Sequence, residues 1–164
     1  MVIEMNWSYI AGLFDGEGHF SICLSSSSRK SSDTSVRIIA SISGENEKKM
    51  QLIKNFLNEG GIFTSFGTYY TDYYSKNIGW QKGKATHLQI SSFDGVTLFV
   101  NNIYNYLIFK KPQCEIVMRA LKLKKDLKAI GRGKIKENIY QFDELRHELH
   151  KYARKGPKQL KSWL

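Results

Sequence analysis

The hydrophobic pattern changes period early in the chain. Behind Asn6, a good N-cap residue, Ile10, Leu13 and Phe14 recur at helical spacing, which predicts a helix from Trp7 to about Asp15, stopped by glycines at 16 and 18. The period then drops to two. Phe20, Ile22 and Leu24 alternate with His19, Ser21, Cys23 and Ser25, and further on Val36, Ile38, Ala40 and Ile42 alternate with Arg37, Ile39, Ser41 and Ser43. These are two half-buried strands, read as a hairpin across a Ser-rich loop that carries Arg29 and Lys30. Helical spacing returns from Glu45 to about Asn58, through Met50, Leu52, Ile53, Phe56 and Leu57, and ends at Gly60-Gly61. A second strand pair follows, Ile62 to about Tyr69 and Lys84 to Ser91, joined by an aromatic and basic tip with Tyr73, Tyr74, Lys76, Trp80 and Lys82. Helices are predicted over Gly95 to Tyr106, from Pro112 through Ile116, Val117, Leu121 and Leu123, and over about Ile135 to Ala153 before a basic tail with Lys155, Lys158 and Lys161. The order αββαββα with extra C-terminal helices predicts an α+β fold. One curved, antiparallel, four-stranded sheet would have helices on one face and leave the other open.

Length and charge narrow what such a fold is for. The 164 residues fit a single domain over 1–164, with about 130–164 as C-terminal helix and tail, and the 41% hydrophobic share supports a real core. No apolar run approaches the roughly 18 residues needed to cross a bilayer, and the N-terminus lacks the basic start and apolar stretch of a signal peptide, so a soluble, intracellular protein is expected. The two cysteines, Cys23 and Cys114, give no disulfide framework. A net charge of +10 favours a polyanionic partner.

The densest signal lies in Trp7-Ser8-Tyr9-Ile10-Ala11-Gly12-Leu13-Phe14-Asp15-Gly16-Glu17-Gly18-His19-Phe20. Ser8, Gly12 and Gly16 fall at i, i+4 and i+8, a helix stripe with almost no side chain, against which another backbone can pack closely. An interior glycine costs about 1 kcal/mol relative to alanine, so Gly12 calls for such a contact. Asp15 and Glu17 stand at the negative end of the helix macrodipole, where carboxylates are unfavourable unless something offsets them. A bound divalent cation would do so, since carboxylate and carbonyl oxygens suit magnesium. A solvated acidic turn is the alternative.

The nine residues Ile-Ala-Gly-Leu-Phe-Asp-Gly-Glu-Gly, from Ile10 to Gly18, closely resemble the signature of the LAGLIDADG homing endonucleases. Ile10 replaces the first Leu, Phe14 an aliphatic residue, Gly16 an Ala and Glu17 the more usual Asp. The resemblance implies that Glu17 is the metal-binding carboxylate at the scissile phosphates, that the Gly16 carbonyl adds a ligand, and that Asp15 orients the turn. It implies Mg2+ as cofactor, with Mn2+ substituting and Ca2+ binding without turnover. A basic residue before the helix that follows the second strand pair corresponds to Lys110, preferred over Lys111, and Glu45 or Asn46 corresponds to a polar residue at the start of the second helix. The chain carries one copy of the motif, which in this family implies a homodimer. Ser8, Ala11, Gly12, Asp15 and Gly16 would form its interface, bringing two Glu17 carboxylates to the dyad.

The open sheet face would then lie in the major groove of double-stranded DNA. Alternation nominates Ser21, Cys23 and Ser25, then Arg29 and Lys30 in the loop, then Arg37, Ile39, Ser41 and Ser43, and on the second hairpin Thr64, Phe66, Thr68, His87 and Gln89. The family reading predicts a homodimer that cuts a long, roughly palindromic site to leave short 3′ overhangs, encoded in an organelle, a prokaryote or a phage. The alternative is an RNA maturase that assists splicing of intron RNA, or a non-cleaving DNA-binding regulator. A zinc site from Glu144, His147 and His150 matches no standard ligand spacing.

Overall fold

A computed structural model describes residues 5–26, 34–75, 79–131 and 133–153. Helix α1 (Trp7–Glu17) leads into β1 (Gly18–Ser26) and β2 (Thr34–Gly44), followed by α2 (Glu47–Glu59), β3 (Ser65–Ser75), β4 (Gly79–Ile90) and α3 (Phe93–Ile103). A single 3-10 turn, Tyr104–Tyr106, precedes α4 (Lys111–Ile130), α5 (Lys134–Glu137) and α6 (Ile139–Ala153). The fold is α+β with one four-stranded antiparallel sheet in the order β1-β2-β4-β3. No helix among the described residues is long and apolar enough to cross a membrane.

Three helix starts are set by side-chain caps. Asn6 accepts from the Tyr9 amide (2.9 Å), Asn46 from Lys49 (3.0 Å) and Ser92 from Gly95 (3.1 Å), each satisfying an N–H that the first turn leaves open. At the other end of α2, Gly61 adopts φ 79°, a left-handed conformation suited to glycine.

The chain divides into two compact units, Met1–His19 with Ala40–Ile108, and Phe20–Ile39 with Phe109–Leu164. The division follows how β2 is held. Its second half pairs with β4, from Ala40 opposite Ile90 to Gly44 opposite Thr86, whereas in its first half the Val36 carbonyl accepts a hydrogen bond from Lys124 of α4.

In the first unit Ile10, Ala11, Phe14, Ile42, Ile53, Leu57, Leu88, Ile90, Phe99 and Ile103 are buried. Phe14 meets Phe99 edge-on with centroids 5.3 Å apart, and Trp7 meets Phe56 at 5.0 Å, so α1 packs on both α3 and α2. Lys84 donates to Glu47 (2.8 Å) and Lys54 lies 5.3 Å from the centre of the Phe66 ring, which places α2 over β3 and β4. In the second unit Phe20, Ile22, Val36 and Ile38 are buried, as are Cys114, Ile116, Val117, Leu121, Phe142 and Leu149. Arg119 of α4 pairs with Glu148 of α6 (2.6 Å).

Two elements depart from expectation. β3 and β4 run far into the predicted tip, to Ser75 opposite Gly79, because its Thr and Tyr residues favour extended backbone. The last predicted helix is broken at Asn138, whose own amide and side-chain nitrogen both bond the Lys134 carbonyl and close α5.

Candidate functional site

The acidic end of α1 is built by a tight elbow. Gly18 closes the helix with its N–H on the Phe14 carbonyl, and a Cβ at Gly18 would lie 2.4 Å from the Phe14 ring and 2.5 Å from that carbonyl oxygen. Only glycine lets the chain turn from helix to strand against the buried Phe14 ring. The turn parts the two carboxylates. Asp15 is half-buried, and its Oδ2 accepts the Ile108 amide hydrogen at 2.7 Å, whereas Glu17, the last residue of α1, is exposed. Asp15 thus ties the helix end to the segment before α4, and Glu17 presents its carboxylate outward beside the last carbonyls of the helix.

Along the same helix Ser8, Gly12 and Gly16 are exposed, and a Cβ at Gly12 or Gly16 would meet nothing within 4 Å among the described residues. The Ser8 hydroxyl donates to the capping oxygen of Asn6 (2.7 Å). Ala11, placed with this stripe on sequence grounds, is instead fully buried in the chain's own core and offers no surface to a partner. Its helical angle turns it toward the Ile10 and Phe14 side.

The sheet sorts its side chains by register. In the first unit Ser41 lies opposite Gln89 and Ser43 opposite His87, while Ser65 and Gly67 of β3 lie opposite Gln89 and His87. Directly opposed residues share a face, so Ser41, Ser43, Ser65, Gly67, Tyr69, His87 and Gln89 form the open face. Phe66 pairs with the buried Leu88 and Thr68 with the buried Thr86, on the side covered by α2. Phe66 and Thr68 therefore leave the set of DNA readers, and so does Thr64, which precedes the strand and has a buried, unpartnered hydroxyl. The phase was out by one residue because aromatic side chains occupy both faces of β3, Phe66 and Tyr70 on one and Tyr69 on the other. Pairing with His87 and Gln89 is the signal that finds Ser65, Gly67 and Tyr69. Ser41 is on the predicted face yet only 8% exposed, its hydroxyl donating to the His19 carbonyl at 3.4 Å.

In the second unit Ser21, Cys23, Ser25, Arg37 and Ile39 are all at least partly exposed, opposite in phase to the buried Phe20, Ile22, Val36 and Ile38. Ser25 and Ser35 share a hydrogen bond of 2.5 Å. Burial depresses the pKa of Lys124, with Lys128 adding repulsion, and its bond to the Val36 carbonyl steadies β2 next to Arg37. Arg29 and Lys30 lie outside the described residues. Lys110 is the N-cap residue of α4 and Lys111 its first residue, both half-buried. Glu45 is exposed, and Asn46 is spent as the α2 cap.

Residues 10–113 match the LAGLIDADG endonuclease family. The chain belongs to this family. No curated protein matches the sequence. Among solved structures, the homing endonuclease I-CvuI, in complex with the I-CreI target in the presence of 2 mM Mg and with the DNA not cleaved, is 14% identical at a TM-score of 0.64, over 93% of this chain and 83% of that one. The archaeal intron-encoded homing endonuclease I-Vdi141I complexed with DNA is 19% identical at 0.65, over 92% and 85%. The LAGLIDADG meganuclease I-AabMI bound to uncleaved DNA is 21% identical at 0.56, but here 86% of this chain covers only 43% of that one. These likenesses show the LAGLIDADG fold, and the motif segment of the family is the α1 elbow that carries Asp15 and Glu17.

Within one LAGLIDADG chain the donor set at that elbow is a single outward carboxylate plus main-chain carbonyls. All are hard oxygen donors, which fits a magnesium- or calcium-like cation better than a thiophilic one. No group of three or more His, Cys, Asp or Glu side chains converges among the described residues, and this also removes the zinc reading of Glu144, His147 and His150. His147 instead contacts Asp143 (2.8 Å to its carbonyl).

Proposed function

We propose that the protein is a homing endonuclease that binds a long, roughly palindromic double-stranded DNA site as a homodimer and hydrolyses one phosphodiester on each strand, leaving short 3′ overhangs. The observation that carries this reading is the exposed glycine stripe ending in an exposed Glu17. Among the described residues nothing approaches Gly12 or Gly16, so the packing described within one copy gives no return for two helix glycines that cost about 1 kcal/mol each. A second copy packed on the stripe gives that return and sets two Glu17 carboxylates side by side. In length the chain spans most of I-CvuI and I-Vdi141I but under half of I-AabMI.

Glu17 and the Gly16 carbonyl would hold the cation, Mg2+ with Mn2+ as a substitute, and Ca2+ would bind without turnover. When bound, the ion supplies Lewis-acid activation of water and stabilisation of the leaving 3′ oxygen. It also offsets the repulsion between paired carboxylates. The protein's own part is positional. Asp15 fixes the elbow through the Ile108 amide, the open face docks in the major groove, Lys110 is the basic residue that the family reading calls for, and the net charge of +10 per chain draws the duplex in.

Incubation with a randomised duplex library and Mg2+ tests the proposal. The wild type should cut a defined subset with 3′ overhangs. Glu17→Gln should cut at least about a hundredfold less while keeping its DNA affinity within about threefold, because the change removes charge and almost no shape. Undiminished cutting by Glu17→Gln would refute the site; no cutting of any sequence by the wild type, with tight RNA binding in its place, would point to splicing assistance instead.

A further inference from the structure

At the centre of the open face, three strands meet around one ring. His87 of β4 lies opposite Ser43 of β2 and opposite Gly67 of β3. Ser43 Oγ is 3.1 Å from His87 Nδ1, and the Tyr69 ring stands edge-on to the imidazole, with centroids 6.4 Å apart and planes at 67°. Gly67 adds no side chain, and a Cβ there would meet nothing within 4 Å among the described residues, so the face is recessed beside the ring. The imidazole is held at Nδ1 and along one edge. Its Nε2 meets no hydrogen-bond partner among the described residues.

We propose that Ser43, Gly67, Tyr69 and His87 form one base-reading unit. In it His87 Nε2 donates to a base that presents an acceptor in the major groove, guanine first, and Ser43 and Tyr69 are positioning residues. The inference rests on the reading of the open face as a DNA interface and adds which base this part of the face selects. A serine hydroxyl both gives and accepts hydrogen bonds. With a neutral ring it donates to Nδ1 and leaves the ring hydrogen on Nε2; with a protonated ring it accepts from Nδ1–H, and Nε2 again carries a hydrogen. Only the neutral Nδ1–H tautomer makes Nε2 an acceptor, and the negative potential of DNA favours donors on the protein side. Guanine offers N7 and O6 as acceptors, adenine N7 beside a donor, thymine O4, and cytosine only its N4 donor. The order of preference is guanine, then adenine and thymine, with cytosine last. The recess at Gly67 lets a base edge approach the backbone beside the ring.

Selection of bound DNA from a randomised duplex library in Ca2+ reads this out without requiring cleavage. The wild type is expected to show one position per half-site where guanine exceeds cytosine about tenfold, the worth of one net hydrogen bond. His87→Ala should flatten that position alone, and His87→Gln should move it to adenine, which glutamine holds bidentately. Ser43→Ala should weaken the preference severalfold, and Ser43→Thr, which keeps the hydroxyl, should restore it. Profiles unchanged in both His87 variants, a flattened position that had favoured cytosine, or a Ser43→Ala profile identical to wild type overturns the assignment and leaves the endonuclease reading standing, since the wild type still selects a defined site. A wild type that selects no sequence removes both.

Discussion

The two cysteines illustrate how far one side chain's surroundings govern its chemistry. Cys114 is fully buried in the second unit, and desolvation, helped by the charge of Glu115, pushes its thiol up to about 12. The neutral thiol is therefore the folded form across the physiological range. Because the folded value lies above the unfolded one, the associated stability is complete below about pH 8.5 and is lost as pH climbs from there toward 12. Cys23 is half-exposed on β1. Titration with a thiol reagent at pH 8 should find one reactive cysteine in the native protein and two in denaturant; two in the native protein would mean that the α4 core opens readily. Sequence reading set Cys23 on the polar face of its strand and assigned Cys114 no role. It had no means of seeing that Ala11 turns inward or that the Ser41 hydroxyl is taken up by the His19 carbonyl, because those depend on which neighbours close over a position.

At the level of elements, α1, β1 and β2 were readable since the apolar residues of each recur at one period. β3 was not. With Phe66, Tyr69 and Tyr70 nearly adjacent, either parity looks apolar, and only the register against β4 decides that Phe66 faces α2 while Tyr69 faces out. The start of α2 is a similar case. Asn46 is one of two candidates for the family's polar residue at the start of that helix, and its side-chain oxygen caps the Lys49 amide. Asn46→Ala should cost about 1 kcal/mol in urea unfolding, with Asn46→Ser nearly neutral, and cleavage by both variants at low temperature should match the wild type. A large loss of turnover in the folded Ala variant would return Asn46 to the catalytic set.

For the molecule as a whole, the proposed dimer would make the glycine stripe answer opposite demands from one copy and from two. A leucine at Gly12 finds open space within the chain and gains about 0.8 kcal/mol of helix propensity, so the Gly12→Leu protomer should be no less stable than the wild type. A second copy of α1 has nowhere to go. Sedimentation should show the variant as a monomer that binds half-sites weakly and cuts neither strand, and an undisturbed dimer would rule out this packing. Net charge would behave oppositely: in the proposed dimer, twice +10 on one duplex should make association steeply salt-dependent, each phosphate neutralised adding about −0.9 to the slope of log K against log salt.

The bond between the Asp15 carboxylate and the Ile108 amide also makes the elbow observable. Ile108 is 75% exposed, and an amide in such a place would ordinarily trade its hydrogen with solvent in moments. Held by Asp15, it should exchange slowly, and only for as long as the end of α1 keeps its place. That single amide is a reporter for the acidic turn: its protection can be followed as cation, duplex or a second subunit is added, with no need for any strand to be cut.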